Sequence, residues 1–444
     1  MATAYLTRTP GSAGDRKTWT LSGWYKRSGT ASDYLLSSGQ YSSTQLSQIL
    51  FEGDSKFNIA FYSSAAALEG HLETTRLFRD PAAWYHIVVA CDTTQAGSSD
   101  RLKLYVNGVQ ETVFATETYP AQDYEPSINN NVAQNIGRRE GSGFFNGVMA
   151  HVHFTDGTAY AASDFGETDS TSGIWVAKTS PSVTYGTNGY FLKFQDTAAF
   201  GDDSSGNTND FTMSGTMTQT KDTPDNNWCT INPIDNYYGN STFSNGNNTI
   251  VTPSSTYSYN TSTMYLSTGL WYWEEKINSS SGYDMVGIAD KPSIATDGWL
   301  GYYTNTYCYR SENGQTYTAG SGTAYGDTFT TGDIIGVYLD LTANKLYFAK
   351  NGTIQNSGTG ISITAAASTT TGYYTPGVGD YHNTGAGTYD LNFGNGYFGT
   401  TAVSSAVADA GGEGQFEYDP SAGTFDGSSK DFRAICTNNL ATYG

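Results

Sequence analysis

Residues 332–352 of this 444-residue chain read GDIIGVYLDLTANKLYFAKNG, and this stretch decides the fold class. Two largely apolar runs, 334–341 and 345–350, each have the length of a strand and are separated by a short polar segment. The Asn351-Gly352 pair that follows tolerates the positive φ angles of a two-residue hairpin turn. The stretch therefore predicts antiparallel β-structure.

The same pattern recurs in both directions along the chain. Residues 18–26 place Trp19 and Leu21 on one strand face and Trp24 on the other, and residues 102–110 contain a second Asn-Gly pair. Helical periodicity is nearly absent. We predict an all-β chain with two antiparallel β-sandwiches. The predicted divisions are a first sandwich at 1–196, an Asn/Asp/Gly-rich linker at 197–254, a second sandwich at 255–398, and a C-terminal tail and candidate attachment segment at 399–444.

The composition excludes several functional classes. The chain has 22 Lys and Arg against 42 Asp and Glu, a net charge of −20, so we expect no nucleic-acid partner. No apolar run reaches the ~20 residues of a membrane-spanning helix, so we expect no membrane insertion. The N-terminus has no basic segment followed by an apolar run, which predicts synthesis in a cytoplasm without a signal peptide.

Motifs in each block carry a resemblance to a known family. The first block resembles the concanavalin-A-like jelly-roll sandwiches of the laminin-G type through WTLSGW (19–24), WYHIVV (84–89), LKLYVNG (102–108) and FNGVMAHV (145–152). The second block resembles a SPRY domain through 332–340, 350–352, YTPGV (374–378) and LNFG (391–394). These resemblances imply a laminin-G-like sandwich followed by a SPRY-like one.

The module order and the connecting segments 203–212, 223–233 and 432–440 resemble virion fibre and adhesin-like proteins of tailed bacteriophages. This resemblance implies a tail or head fibre located in the virion and made in the host cytoplasm. Its implied partners are other virion proteins and a host-surface glycan or protein receptor. A homo-oligomer, most simply a trimer, would strengthen weak contacts by avidity.

Two alternatives to the fibre remain open at this stage. The first is a capsid decoration or tail-assembly subunit that contacts mainly other virion proteins. The second is a polysaccharide depolymerase, since concanavalin-like folds also host glycoside hydrolases. The family's Glu-x-Asp-x-x-Glu pattern is incomplete, because Phe57 follows Glu52-Gly53-Asp54 where the second glutamate belongs. Glu274 and Glu275 are adjacent, so a strand sends them to opposite faces. We therefore expect no enzymatic activity and name no catalytic residue.

Metal ligands are sparse in the sequence. His151 and His153 share a strand face but need a third ligand, so they more simply form the polar side of a half-buried strand. Asp202, Asp203 and Asp210 offer hard oxygen ligands in one short loop, which makes calcium the candidate cofactor. Their spacing departs from the Asp-x-Asp-x-Asp-Gly calcium loop, and such runs are also turn formers.

The 34 tyrosines are the most suggestive feature of the composition. A tyrosine ring offers a flat apolar face and a hydroxyl, which suits it to ligand contacts at little entropic cost. Two segments, about 301–325 and 379–387, match the ligand-binding loops of SPRY relatives. The alternative is that these rings fill the sandwich cores. The candidate ligand-binding residues are Tyr302, Tyr303, Tyr307, Tyr309, Tyr317, Tyr381 and His382.

Overall fold

A computed structural model describes residues 3–40, 44–236, 240–292, 298–381 and 385–444. Antiparallel strands dominate, and the chain divides into two compact units, Met1–Gln219 and Thr220–Gly444. The prediction of an all-β chain with two β-sandwiches is confirmed. Within the described ranges, no helix is both long and apolar enough to cross a membrane.

The first unit is built from short strands with one larger pair of sheets. Its described strands are β1 (Tyr5–Arg8), β2 (Thr18–Arg27), β3 (Asp33–Gly39), β4 (Leu46–Phe51), β5 (Phe57–Tyr62), β6 (Leu68–Thr74), β7 (Trp84–Asp92), β8 (Leu102–Val106), β9 (Val109–Gln110), β10 (Phe114–Thr118), β11 (Gln134–Ile136), β12 (Arg138–Arg139), β13 (Ser142–Phe144), β14 (Gly147–Asp156), β15 (Gly166–Thr168), β16 (Trp175–Ala177), β17 (Tyr190–Leu192) and β18 (Thr212–Ser214).

Two sheets enclose the core of the first unit. One has the order β10-β6-β5-β4-β3-β11-β1-β18 and the other β17-β14-β2-β7-β8-β9. Period-two alternation along β2 sends Trp19 and Leu21 into the core between them, where both are almost fully buried. Trp24 lies on the opposite face of β2 and packs with Trp84. Both placements confirm the predicted alternation.

The Asn-Gly pairs form the predicted hairpin turns. Asn107 and Gly108 have φ angles of 49° and 82°, and they join β8 to β9. Asn351 and Gly352 adopt 48° and 76° in the second unit. Both central residues of a type I′ turn need positive φ, which asparagine and glycine adopt at the lowest cost.

The second unit has the same general construction. Its described strands and helix are β19 (Thr242–Ser244), β20 (Thr249–Val251), β21 (Ser258–Thr261), β22 (Leu270–Ser279), β23 (Asp284–Ala289), β24 (Thr306–Arg310), β25 (Gln315–Thr318), β26 (Ser321–Ala324), β27 (Ile334–Asp340), β28 (Lys345–Lys350), β29 (Thr353–Ile354), β30 (Ile361–Ser362), β31 (Thr375–Asp380), β32 (Thr388–Asn392), β33 (Tyr397–Phe398), β34 (Thr401–Ala402) and α1 (Thr437–Tyr443).

One sheet of this unit has the order β19-β20-β32-β22-β27-β28-β29, with β30 paired to β28. The other has the order β21-β31-β23-β24-β25-β26. Trp273, Ile335 and Tyr309 are fully buried in the core of the unit. Burial of such side chains contributes about 1.5–3 kcal/mol each, so this core accounts for much of the unit's stability.

Residues 197–254, predicted as a linker, contribute strands to both units. β18 pairs with β1 in the first unit, whereas β20 pairs with β32 in the second. Trp228, Ile231 and Ile250 are buried in the second unit. Isolated apolar residues therefore anchor a segment whose composition is that of a loop.

Residues 399–444, predicted as a tail, are largely packed on the second unit. Phe416, Phe425 and Phe432 are fully buried in one cluster with Tyr272 and Tyr338. Glu274 lies on the same outer face of β22 as Tyr272, and its carboxylate accepts hydrogen bonds from the backbone N–H groups of Glu417 (2.9 Å) and Tyr418 (2.8 Å). The C-terminal segment is thus part of the second unit's structure.

Candidate functional site

The structure separates the candidate tyrosines into a core pair and a surface group. Tyr307 and Tyr309 alternate with Cys308 along β24 and point into the core, where Tyr309 is fully buried against Phe348. Desolvation raises the pKa of Tyr309, and its hydroxyl donates a hydrogen bond to the carbonyl of Asp327. The rings of Tyr307 and Tyr309 therefore belong to the hydrophobic core of the second unit.

The other candidate tyrosines lie at the surface of the second unit. Tyr302 is 45% exposed, whereas Tyr303, Tyr317 and Tyr381 are half-buried. His382 lies outside the described residues. Strand parity explains the position of Tyr317, which pairs with Cys308 on the neighbouring strand. Cys308 faces away from the core that Tyr307 and Tyr309 fill, so Tyr317 also lies on the outer face of the sheet.

Trp299 is the centre of this surface group. Its ring centroid lies 4.8 Å from Tyr381, 5.5 Å from Tyr317 and 5.8 Å from Tyr302. Tyr257 also stacks on Tyr381, at 5.0 Å and nearly parallel. The rings form one continuous aromatic surface of mostly edge-to-face contacts, a geometry that aromatic quadrupoles favour.

Arg310 lies inside this aromatic cluster. The central carbon of its guanidinium is 4.2 Å from the centroid of Tyr381, 5.2 Å from Tyr317 and 6.0 Å from Trp299. Only 6% of the residue is exposed, and its Nη2 contacts Glu312 Oε2 at 2.5 Å. A desolvated cation over several ring faces gains about 2 kcal/mol from cation–π attraction, so Arg310 holds the cluster together.

Gly379 allows β31 to lie against β21 in the row of residues that contains Arg310. Met285, Gly379 and Tyr259 lie directly across neighbouring strands from Arg310, in one row. A Cβ atom on Gly379 would stand 2.3 Å from the carbonyl oxygen of Ser258, so no larger residue fits.

A second loop is tied to the cluster through Asp290. Its Oδ2 accepts hydrogen bonds from the backbone N–H of Thr370 (3.3 Å) and from Asn305 Nδ2 (3.4 Å). Tyr373, in the loop that contains Thr370, is 44% exposed. Two loops with exposed tyrosines are therefore held by one buried carboxylate.

Of the carboxylates considered for catalysis, Asp54 and Glu274 have structural partners. Asp54 pairs with Lys56 at 3.1 Å, and burial raises the pKa of the neighbouring Glu52. Glu274 is fully buried on the outer face of β22, whereas Glu275 is fully buried on the inner face. The adjacent pair is therefore split by the sheet, as predicted.

Three histidines of the first unit, His86, His151 and His153, lie against aromatic neighbours. Trp175 Nε1 donates to His86 Nδ1 at 3.0 Å, so the other ring nitrogen carries the proton and donates to Ser22 Oγ at 2.9 Å. Burial lowers the pKa of His86 to about 3. Because this imidazole donates its proton to the serine, it is not oriented to act as a base toward it.

His153 stacks on Phe191 at 3.8 Å, and its Nδ1 is hydrogen-bonded to the hydroxyl of Tyr185 at 2.8 Å. Burial lowers the pKa of His153 well below its usual value. His151 also stacks on the Phe191 ring, at 6.0 Å. Across the described ranges, no group of three or more His, Cys, Asp or Glu residues is arranged to hold a metal ion.

The candidate calcium loop uses its carboxylates to hold its own backbone. Asp203 accepts hydrogen bonds from the backbone N–H groups of Phe191, Ser205 and Asn209 and from the Ser205 hydroxyl, at 2.8–2.9 Å. Asp210 accepts from the N–H of Asp203 at 2.9 Å. Asp203 and Asp210 therefore hold the backbone of this turn, and calcium binding at Asp202, Asp203 and Asp210 stays a prediction.

Sequence reasoning missed Trp299 and Arg310 as members of the site. Alternation along β24 predicts the face on which the arginine lies, because it places Arg310 and Cys308 opposite the two core tyrosines. Trp299 belongs to the loop before β24, and neither periodicity nor spacing links it to the sheet.

Comparisons with known proteins agree with both sandwiches. Residues 2–163 match the family described as the concanavalin A-like lectin/glucanases superfamily, and residues 270–384 match the SPRY domain. The chain therefore contains a laminin-G-like, concanavalin-A-like domain followed by a SPRY domain.

Curated relatives share a short part of the chain. Ran-binding protein 9 of Homo sapiens and of Xenopus laevis, and Ran-binding protein 10 of Danio rerio, are each 34% identical over 87 residues. That segment is 19% of this chain and 12–16% of those proteins. The chain thus spans only a small part of the relatives it matches.

Solved structures give weaker similarities. The SPRY domain of human HERC1 is 20% identical with a TM-score of 0.30, covering 36% of this chain and 96% of that one. A pentraxin from Limulus polyphemus is 14% identical with a TM-score of 0.27, covering 36% and 71%.

These comparisons overturn the expected virion function. The predicted phage tail or head fibre or adhesin is wrong, because the curated relatives are Ran-binding proteins of animals. The capsid decoration or tail-assembly subunit and the polysaccharide depolymerase are set aside with it. The virion partners, the host-surface glycan or protein receptor and the virion location are likewise wrong, and the trimer loses its motivation. The module order misled the prediction because a sandwich fold does not specify a function.

Proposed function

We propose that this chain is a non-catalytic binding protein whose SPRY domain captures a segment of a partner protein. The binding surface comprises Trp299, Tyr302, Tyr317, Tyr381 and Arg310, which we call the Trp299 surface. The observation that carries the proposal is the exposure of Tyr302 beside an aromatic layer built on a nearly buried arginine. Aromatic residues and arginine dominate the binding energy of protein interfaces.

The names of the curated relatives favour a protein partner. They are Ran-binding proteins, so each is named for binding another protein. The chain's net charge of −20 disfavours a nucleic-acid partner at the same surface.

The absence of catalysis is part of the proposal. It is supported by the buried carboxylates of Glu274 and Glu275, which face opposite sides of β22. It is also supported by His86, whose Nδ1 is occupied by the indole N–H of Trp175.

A peptide-display selection tests this proposal. Random peptides are selected on the intact chain, and the enriched ones are synthesised and titrated by calorimetry. Tyr302→Ala should weaken their binding about thirtyfold, the loss typical of an aromatic hot spot. It should not lower stability, because Tyr302 is 45% exposed.

Tyr443→Ala is the matched control. Tyr443 is also in the second unit and is 41% exposed, but it contacts Arg433 instead of the Trp299 surface. Its loss should leave peptide affinity unchanged. If no peptide is enriched, or if both variants bind every peptide as the parent chain does, the proposal is wrong.

A further inference from the structure

Arg310 has an incomplete set of hydrogen bonds for an arginine that is only 6% exposed. Its Nη2 contacts one oxygen of Glu312, at 2.5 Å. Its buried Nε has no hydrogen-bond partner among the described residues. The Nε and Nη2 donors of a guanidinium point in parallel and can bind the two oxygens of one carboxylate. Glu312 therefore occupies only one of these two donors.

Arg27 shows what a structural buried arginine looks like in the same chain. Its Nε donates to Asp33 at 2.9 Å, its Nη1 to the carbonyl of Phe78 at 2.9 Å and its Nη2 to the carbonyl of Ala31 at 2.6 Å. The Arg27 and Asp33 side chains are only 1% and 2% exposed. Arg310 differs because it keeps a buried donor free at the Trp299 surface.

Glu312 is a weakly held partner. Its side chain is 39% exposed, whereas that of Arg310 is 8% exposed. An ion pair with a solvent-exposed member contributes little to stability, so its exchange for another carboxylate costs little. The glutamate can move into water while the arginine keeps its place over the rings.

We propose that Arg310 is the receptor for a carboxylate of the partner segment and that Glu312 occupies this receptor until the partner binds. This inference rests on the proposed function and names its ligand class, an acidic protein segment. The incoming carboxylate contacts Nε and Nη2 together, and Glu312 is displaced into solvent. Glu312 thereby acts as a built-in competitor.

The charge of the chain makes this recognition local. With a net charge of −20, the protein does not attract an acidic segment at long range. Affinity for a carboxylate must therefore come from Arg310 itself. Removal of the negative charge of Glu312 should then change the measured peptide affinity directly. The carboxylate can belong to an Asp or Glu side chain or to a chain terminus, and the two sources are separable.

The test uses the peptides enriched by selection on the intact chain. Each is titrated in its parent form, with its Asp and Glu residues changed to Asn and Gln, and with its C-terminus amidated. Glu312→Gln is the main variant because its exposed position keeps the fold, which circular dichroism checks. Glu140→Gln is the matched control, since Arg138 also pairs with the residue two positions on, at 2.9 Å, and lies over Tyr5.

We expect one of the two peptide changes to weaken binding about tenfold, as loss of a charged hydrogen-bonded pair does, and the affected form identifies the carboxylate's source. Glu312→Gln should strengthen binding of the acidic peptide by about two- to fivefold and leave binding of the neutralised peptide unchanged. Glu140→Gln should change neither.

Equal affinity of parent and Glu312→Gln chains for acidic peptides would overturn the carboxylate receptor. So would an equal gain for acidic and neutralised peptides. In both cases peptide binding that depends on Tyr302 would leave the proposed function standing. If no enriched peptide depends on Tyr302, the proposed function itself fails and this inference fails with it.

Discussion

Replacing Glu274 by glutamine should loosen the attachment of the C-terminal segment to the second unit. The buried carboxylate accepts four hydrogen bonds, from the hydroxyl of Tyr272 (3.0 Å), Asn392 Nδ2 (3.2 Å) and the N–H groups of Glu417 and Tyr418 (2.9 and 2.8 Å). A glutamine side chain has one acceptor oxygen, and its NH₂ group would face a donor. At least one buried backbone N–H therefore loses its acceptor.

The expected cost is about 2 kcal/mol, within the range for an unsatisfied buried donor. Hydrogen exchange followed by mass spectrometry reads this locally, at the amides of Glu417 and Tyr418. A loss of that size should speed their exchange by about thirtyfold if they exchange by local opening. Burial raises the pKa of Glu274 to about 7, so the measurement belongs at about pH 8, where the carboxylate is ionised.

Glu275→Gln is the control on the neighbouring residue. Its two carboxylate oxygens are buried and have no hydrogen-bond partner in the described part of the chain. Burial, with the nearby negative charge of Asp284, raises the pKa of Glu275 well above its ordinary value of 4.5. Since the folded state then binds a proton that the unfolded state releases, this group's contribution to stability is complete below pH 4.5 and is lost as pH rises toward the folded pKa.

A glutamine cannot ionise, so Glu275→Gln does not lose stability as the pH rises. The substitution should leave the free energy of unfolding unchanged or increase it, and the gain should grow at higher pH. Continued protection of the two amides in Glu274→Gln, or equal destabilisation by the two substitutions, would contradict this prediction.

Three further predictions concern other parts of the chain. His86 should remain in the neutral form protonated at Nε2 down to about pH 4, because its pKa is lowered to about 3; long-range ¹H–¹⁵N spectra showing Nδ1 protonation would contradict this. Phe432→Ala should destabilise the second unit by about 3–5 kcal/mol in denaturant titrations, whereas Tyr373→Ala should be nearly neutral. Asp203→Asn should lower the melting temperature equally in calcium and in chelator, since that carboxylate holds backbone N–H groups; a loss confined to calcium would establish a metal site.

The sequence was sufficient for the strands because local rules decide them. Alternation along residues 18–26 and the Asn-Gly pair at Asn107 and Gly108 each operate over a few residues, and the structure follows both. The C-terminal segment was not predictable in this way. Phe416, Phe425 and Phe432 are isolated in a polar stretch, and their burial depends on contacts with strands distant in sequence.

The site was predictable only in part. Tyrosine content indicated candidate loops in the second unit, but strand parity decides which rings are exposed, and it places Tyr307 and Tyr309 in the core. Alternation along β24 places Arg310 on the outer face of its sheet, but it does not show which rings surround the guanidinium. Its role depends on rings from several strands and loops that only the folded chain brings together.

We propose that this protein binds its partner at the Trp299 surface, and a hydrogen-exchange footprint tests this most directly. The intact chain is compared with and without a saturating, enriched peptide. We expect slower exchange in residues 298–310 and 315–318, with no change in residues 5–214. Protection confined to the first unit, with residues 298–310 unaffected, would contradict it.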